Sequence, residues 1–178
     1  MIRDFSVTPK PQNSKSKILM VSFFVIAIAF LVASLFMDSY RGVVAMGALF
    51  SVTLGVLVYT KYVSVVFHYD ILAEDMDEPL FVVRQTVGKR NVTLARIAFK
   101  DIVKIEKETL SERRAHKTER TVMKYVFTPT LAPDVSYRIY LNSRIEKAEL
   151  IIEGSDEFAE MLRGIAAEAR LTYGEEEE

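Results

Sequence analysis

Residues 18–37 read ILMVSFFVIAIAFLVASLFM, twenty residues without a charge. Four residues follow, Asp38, Ser39, Tyr40 and Arg41, and then residues 42–60 read GVVAMGALFSVTLGVLVYT, again uncharged. At a rise of about 1.5 Å per residue, a helix of twenty residues extends about 30 Å, the thickness of a bilayer's hydrocarbon core. A signal peptide carries a shorter apolar run, about 7–15 residues, and ends in small residues. The first run closes instead on Ser34, Leu35, Phe36 and Met37. The text predicts two transmembrane helices, 18–37 and 42–60, whose short link forces an antiparallel hairpin. Gly47, Ser51 and Gly55 recur at every fourth position and share one face of the second helix. Small residues there let two backbones approach closely. Ala29 and Ala33 offer a matching face on the first helix. Packing inside the hairpin is the simpler reading of that face, and self-association the sharper one.

Charge divides the chain at the same place. Residues 1–60 hold seven charged residues, and residues 61–178 hold forty, 18 basic and 22 acidic. The reading is a disordered N-terminus over 1–17, a hairpin over 18–60, a domain over 61–174 and an acidic tail over 175–178. Residues 1–17 carry Arg3, Lys10, Lys15 and Lys17, the link carries only Arg41, and Lys61 opens a domain rich in Lys and Arg. The positive-inside rule then places both termini in the cytoplasm of a two-span cell-membrane protein. Ending the second helix near Thr60 leaves Lys61 at the interface, where it can snorkel beside Tyr59 and Tyr62.

Beyond Lys61 the period changes. Val65, Phe67, Tyr69 and Ile71 alternate with Ser64, Val66, His68 and Asp70, the pattern of a strand. Six further strands follow at 80–87, 92–99, 103–106, 123–127, 137–141 and 148–152. An acidic turn (Glu74 to Pro79) and the turn Gly88-Lys89-Arg90-Asn91 separate the first three. Residues 109–120 read as a loop or a short helical excursion. Phe158, Leu162, Ile165, Ala166 and Ala169 then form one apolar helical stripe. Ser155 is placed to cap that helix, with Asp156 and Glu157 favourable at its N-terminus and Gly174 closing it.

The stretch Ile97-Ala98-Phe99-Lys100-Asp101-Ile102-Val103-Lys104-Ile105-Glu106 resembles the strand-to-strand turn of bacterial membrane-anchored pleckstrin-homology-like domains, and the helix opening at Ser155 fits the same pattern. The resemblance implies an α+β membrane protein. Its transmembrane hairpin would precede a seven-stranded antiparallel sheet or barrel capped by a C-terminal helix. It supplies no catalytic residues, and such folds host many roles.

Several chemistries are excluded by composition. The chain has no cysteine, so thiolate metal sites, disulfides and cysteine nucleophiles are absent. Its two histidines, His68 and His116, cannot form an HExxH pair, and neither GxGxxG nor GxxxxGK[ST] occurs. A net charge of −1 argues against nucleic acid as a partner. No metal or other cofactor is expected. The acidic turn lacks calcium-loop spacing, and His68 reads as a sheet-surface residue opposite Phe67 and Tyr69. The remaining cluster is Arg113, Arg114, His116, Lys117 and Arg120. Its sharp reading is contact with anionic headgroups or an acidic partner; its bland reading is a solvated tip.

The expectation is a non-enzymatic membrane protein whose domain is an interaction or assembly module at the inner leaflet. It would engage membrane lipids and either copies of itself, as a homo-oligomer, or another membrane protein. The alternative is an anionic-lipid sensor acting through the basic loop. An enzyme acting on a lipid-linked substrate comes third, and would need a pocket with convergent titratable groups.

Overall fold

Alternating apolar and polar residues after Ser64 build strands that, with a short strand before the helices, assemble into two four-stranded sheets in the computed structural model, which describes residues 5–12, 14–72, 79–116, 122–142 and 147–173. The first sheet runs β1 (Phe5–Val7), β2 (Val65–Leu72), β3 (Leu80–Val87) and β4 (Arg90–Ala98), in that spatial order. The second comprises β5 (Ile102–Thr109), β6 (Met123–Phe127), β7 (Val135–Asn142) and β8 (Lys147–Ile152), in the order β5-β7-β8-β6. The fold is α+β. Three features of the expected sheet are corrected. There are eight described strands rather than seven. β6 runs parallel to β8, from Met123↔Ala148 to Phe127↔Ile152. The sheets do not close into a barrel, because β4 and β6 end their sheets.

The chain divides into two units. One takes the described residues up to Gln12 together with those from Val66 onward, and the other takes the residues between. The described residues 5–12 of the segment expected to be disordered belong instead to the first of these. Phe5, Ser6 and Val7 pair antiparallel with Ile71, Asp70 and Tyr69. Gln12 then clips the segment to the loop before β7: its Nε2 donates to the Val135 carbonyl at 2.7 Å, and its Oε1 accepts from the backbone N–H of Asp134 at 2.9 Å and of Val135 at 3.2 Å. The unit is therefore assembled from both sides of the hairpin sequence.

Its core follows from period two. Tyr69, Ile71, Phe81, Ile139, Leu150 and Ile152 point inward from their strands and are buried. Phe99 joins them from a 3₁₀ turn, Phe99–Asp101, that links β4 to β5 inside the stretch carrying the family resemblance. Helix α4 (Asp156–Tyr173) covers this core. Phe158 stacks on Tyr69 with ring centroids 6.0 Å apart, and Leu162, Ala166 and Ala169 are buried one turn after another. Ser155 caps α4 as its side chain predicts, accepting from the Phe158 N–H at 3.2 Å. Gly88, at φ +60°, opens the two-residue turn between β3 and β4, the type II′ geometry in which glycine at the first central position avoids a Cβ clash. Gly174, the acidic turn at 74–78 and the tail at 175–178 lie outside the described residues.

The second unit contains α1 (Lys15–Ser34) and α2 (Arg41–Val58), joined through a 3₁₀ turn at Asp38–Tyr40. Both are long and apolar enough to cross a membrane. α1 starts and stops three residues earlier than expected. Its last turn is tightened by the Leu35 N–H donating to the Val32 carbonyl at 3.1 Å, an i→i−3 bond. The second helical run does not stop at Thr60. A π turn, Tyr59–Val63, carries it past Lys61, closed by the Ser64 N–H on the Tyr59 carbonyl at 2.9 Å. The small residues of α2 face aromatic rings of α1. A Cβ on Gly47 would lie 3.2 Å from Phe30, and one on Gly55 would lie 3.3 Å from Phe24. Ser51 is buried with them and returns its hydroxyl to the Gly47 carbonyl at 2.9 Å. Ala27, not Ala29, is the buried alanine of α1, and Ala29 is exposed. Phenylalanine edges need the space that glycine leaves, and a smooth alanine face would not fill it.

Candidate functional site

β7 alternates Tyr137 and Ile139 toward the core with Ser136, Arg138 and Tyr140 toward the other face. The register sets Glu106 opposite Arg138, Glu108 opposite Ser136, and Glu149 opposite Tyr140. Arg138 is only 1% exposed. Its guanidinium forks between two carboxylates: Nε and Nη2 donate to Glu108 Oε2 at 3.0 and 2.6 Å, and Nη1 donates to Glu149 Oε2. Burial alone would lower the Arg138 pKa, but the hydrogen bonds and charges of Glu108 and Glu149 outweigh it and hold the pKa above its ordinary value.

Helix α3 (Leu110–Ala115) supplies the cover. It is the helical excursion allowed for 109–120, and a reciprocal capping box between Thr109 and Glu112 starts it. From it Arg113 donates to Ser136 Oγ at 3.1 Å and to the Pro133 carbonyl at 3.2 Å. Ser136 in turn donates to Glu108 at 3.2 Å, and His116 Nε2 meets Glu149 Oε1 at 3.2 Å. A groove of about 440 Å³ opens here, lined by Glu106, Glu108, His116, Arg138, Tyr140 and Arg163 among others. Hydrogen bonds from Lys104 and Tyr140 hold the Glu106 carboxyl below its ordinary range, while burial and Glu106 push the Tyr140 phenol up to about 12. Acids and bases do converge in this groove, but they converge on one another. Glu106 and Glu108 in its lining, and Glu149 beside it, are each held by a cation or a phenol of the same unit, the arrangement of a structural ion network.

A second feature lies where the sheets fail to close. An apolar pocket of about 320 Å³ is lined by Leu94 and Ile97 of β4, Tyr125 and Phe127 of β6, Leu141 of β7 and Leu150 of β8. Both β4 and β6 are end strands, so backbone N–H and C=O groups along one side of each lack a strand partner among the described residues. Val126 on β6 is 54% exposed and Val92 on β4 is 52% exposed, unusual for β-branched residues in strands.

The sequence candidates fall differently on this frame. Arg113 is half-buried and donates to Ser136 Oγ and to the Pro133 carbonyl. Arg114 is exposed. Lys117 and Arg120 lie outside the described residues. Gly47 and Gly55 lie against Phe30 and Phe24 within the hairpin, where the packing reading of that face puts them. His68 sits on the outer face of β2, between Thr8 Oγ1 at 2.8 Å and Thr86 Oγ1 at 3.1 Å. Sequence reading missed Arg138, Glu108 and Glu149. Their shared parity on three strands was the available signal, but it acquires meaning only once register is known. Among the described residues no group of three or more potential metal ligands converges. No protein-family model matches the chain, and no curated protein matches it.

Proposed function

We propose that this is an integral membrane protein of two spans with cytoplasmic termini. Its folded unit serves as a non-enzymatic protein-interaction module at the inner leaflet. The observation that carries the reading is the open side of that unit, where two end strands with exposed apolar residues border an apolar pocket. Apolar strand edges of this kind are sites of strand pairing with another chain. The two long apolar helices support the anchor, and the Phe99–Asp101 turn with the capped terminal helix supports the pleckstrin-homology-like ancestry of the unit. The lipid-sensor reading is weakened by the loss of Arg113 to internal contacts. The test is chemical cross-linking of the full chain in intact membranes, followed by mild-detergent extraction. A discrete protein complex that persists without added lipid is expected. A chain that remains monomeric, and joins membranes only through anionic headgroups, contradicts the reading.

A further inference from the structure

We infer that the open side binds an extended, acidic segment of a partner protein, added as a strand along β6 with its apolar side chains entering the pocket between β6 and β4. The inference rests on the interaction-module reading and gives that module a ligand class. The first argument is backbone chemistry. Among the described residues β6 is hydrogen-bonded along one side only, to β8, and its other side ends the sheet. A row of N–H and C=O groups is answered in register by another extended chain and not by a lipid tail. The second argument is shape. The pocket, at about 320 Å³, stands at the low end of ligand cavities, ~300 Å³ and upward. It accommodates the side chains of one strand face and is too small for a helix. Tyr125 and Phe127 line it, and the alternate residues Lys124 and Val126 face the other way, so an added strand would present apolar groups at every second position.

The third argument is charge. Arg90 and Arg96 on β4, Lys124 on β6 and Lys147 on β8 are all exposed, and none makes an ion pair among the described residues. The carboxylate of β8, Glu149, is buried against Arg138 and His116. Asp101 is the carboxylate lining the pocket, and it already has an interaction. The pocket is therefore apolar at its floor, with Arg96 in its lining and Lys124 on the adjoining edge strand. It complements a segment that alternates apolar residues with glutamate or aspartate.

The test uses the full chain in detergent micelles and fluorescein-labelled nine-residue peptides alternating valine with glutamate or valine with lysine. Fluorescence anisotropy reads binding, and amide hydrogen exchange reads its location. The glutamate peptide should bind, slow exchange in residues 123–127, and weaken about tenfold or more on raising salt from low to high ionic strength. The lysine peptide should not bind. Alternate backbone N-methylation of the glutamate peptide should abolish binding, because it removes the strand's donors without altering the protein. Reversing these two charges with Arg96→Glu and Lys124→Glu should cost about tenfold or more and should admit the lysine peptide. Equal binding of both peptides, binding that survives N-methylation, or absent protection at β6 overturns the inference. So does protection of β6 by raised protein concentration alone, which would make a second copy the occupant, or by anionic vesicles alone. A cross-linked complex in membranes together with a failed peptide experiment removes this site and leaves the module. Failure of both removes the module itself.

Discussion

Arg138 ties two buried carboxylates, Glu108 and Glu149, to one guanidinium. Arg138→Met removes the cation that bridges Glu108 and Glu149 and leaves Glu108 with Ser136 and Glu149 with His116 among its remaining partners. A loss of about 3–5 kcal/mol is expected, the usual effect of breaking a buried pair from one side. The triple variant Arg138→Met, Glu108→Gln, Glu149→Gln should recover most of it, and urea unfolding followed by tyrosine circular dichroism measures both. Glu153 makes a separate prediction. It is 1% exposed and accepts hydrogen bonds from the Thr130 N–H and hydroxyl and from the Gln12 N–H. Burial raises its pKa above the ordinary 4.5 in spite of those bonds. Between 4.5 and the raised value the folded protein keeps a proton that the unfolded chain has released. Its contribution to stability is therefore full below 4.5 and is lost as pH rises through the folded value. Asp70, Glu106 and Asp156 have depressed pKa values and give the opposite slope. Comparing wild type with Glu153→Gln cancels them. Wild type should lose stability relative to the variant as pH rises above 4.5, and a pH-independent difference would contradict the assignment.

At the scale of elements, α4 and most of the strands from Val65 to Ile152 were legible because their apolar residues recur at the period of the element, even where, as in β7 and β8, polar residues on the second face are also buried. The apolar stripe Phe158, Leu162, Ala166, Ala169 is the buried face of α4, and Ser155 is its cap. β1 was not legible. Three residues are too few to show a period, and Pro9, Pro11 and two serines around them read as loop. What fixes the segment is Gln12, a side chain imitating backbone, and no pattern announces such a residue. Gln12→Ala deletes three hydrogen bonds to Asp134 and Val135. The expected cost is about 1–2 kcal/mol, with faster amide exchange across Phe5–Val7 and unchanged exchange in α4. Exchange unchanged at β1 would mean that the pairing with β2 holds the segment by itself. The parallel placement of β6 was illegible for a different reason. Alternation tells which face a residue takes but not which neighbour its strand chooses, and the open edges beside the pocket follow from that choice.

For the whole molecule, the sequence reading placed a hairpin before a domain, whereas the folded unit draws on residues from both sides of the hairpin. Membrane insertion of the hairpin, as proposed, would then bring the chain back to the leaflet it left, because β1 and Gln12 precede α1 and pair with strands that follow α2. A single crossing would leave β1 and β2 on opposite sides of the membrane and is incompatible with their pairing. The natural absence of cysteine allows a direct test without background labelling. Single cysteines would be introduced at Ser39, in the turn between the helices, and at Lys89, in the turn between β3 and β4. Intact cells would then be treated with a membrane-impermeant thiol reagent before and after permeabilisation. Labelling of Ser39→Cys in intact cells, with Lys89→Cys labelled only after permeabilisation, is the predicted result. Labelling of both positions from the same side would contradict it.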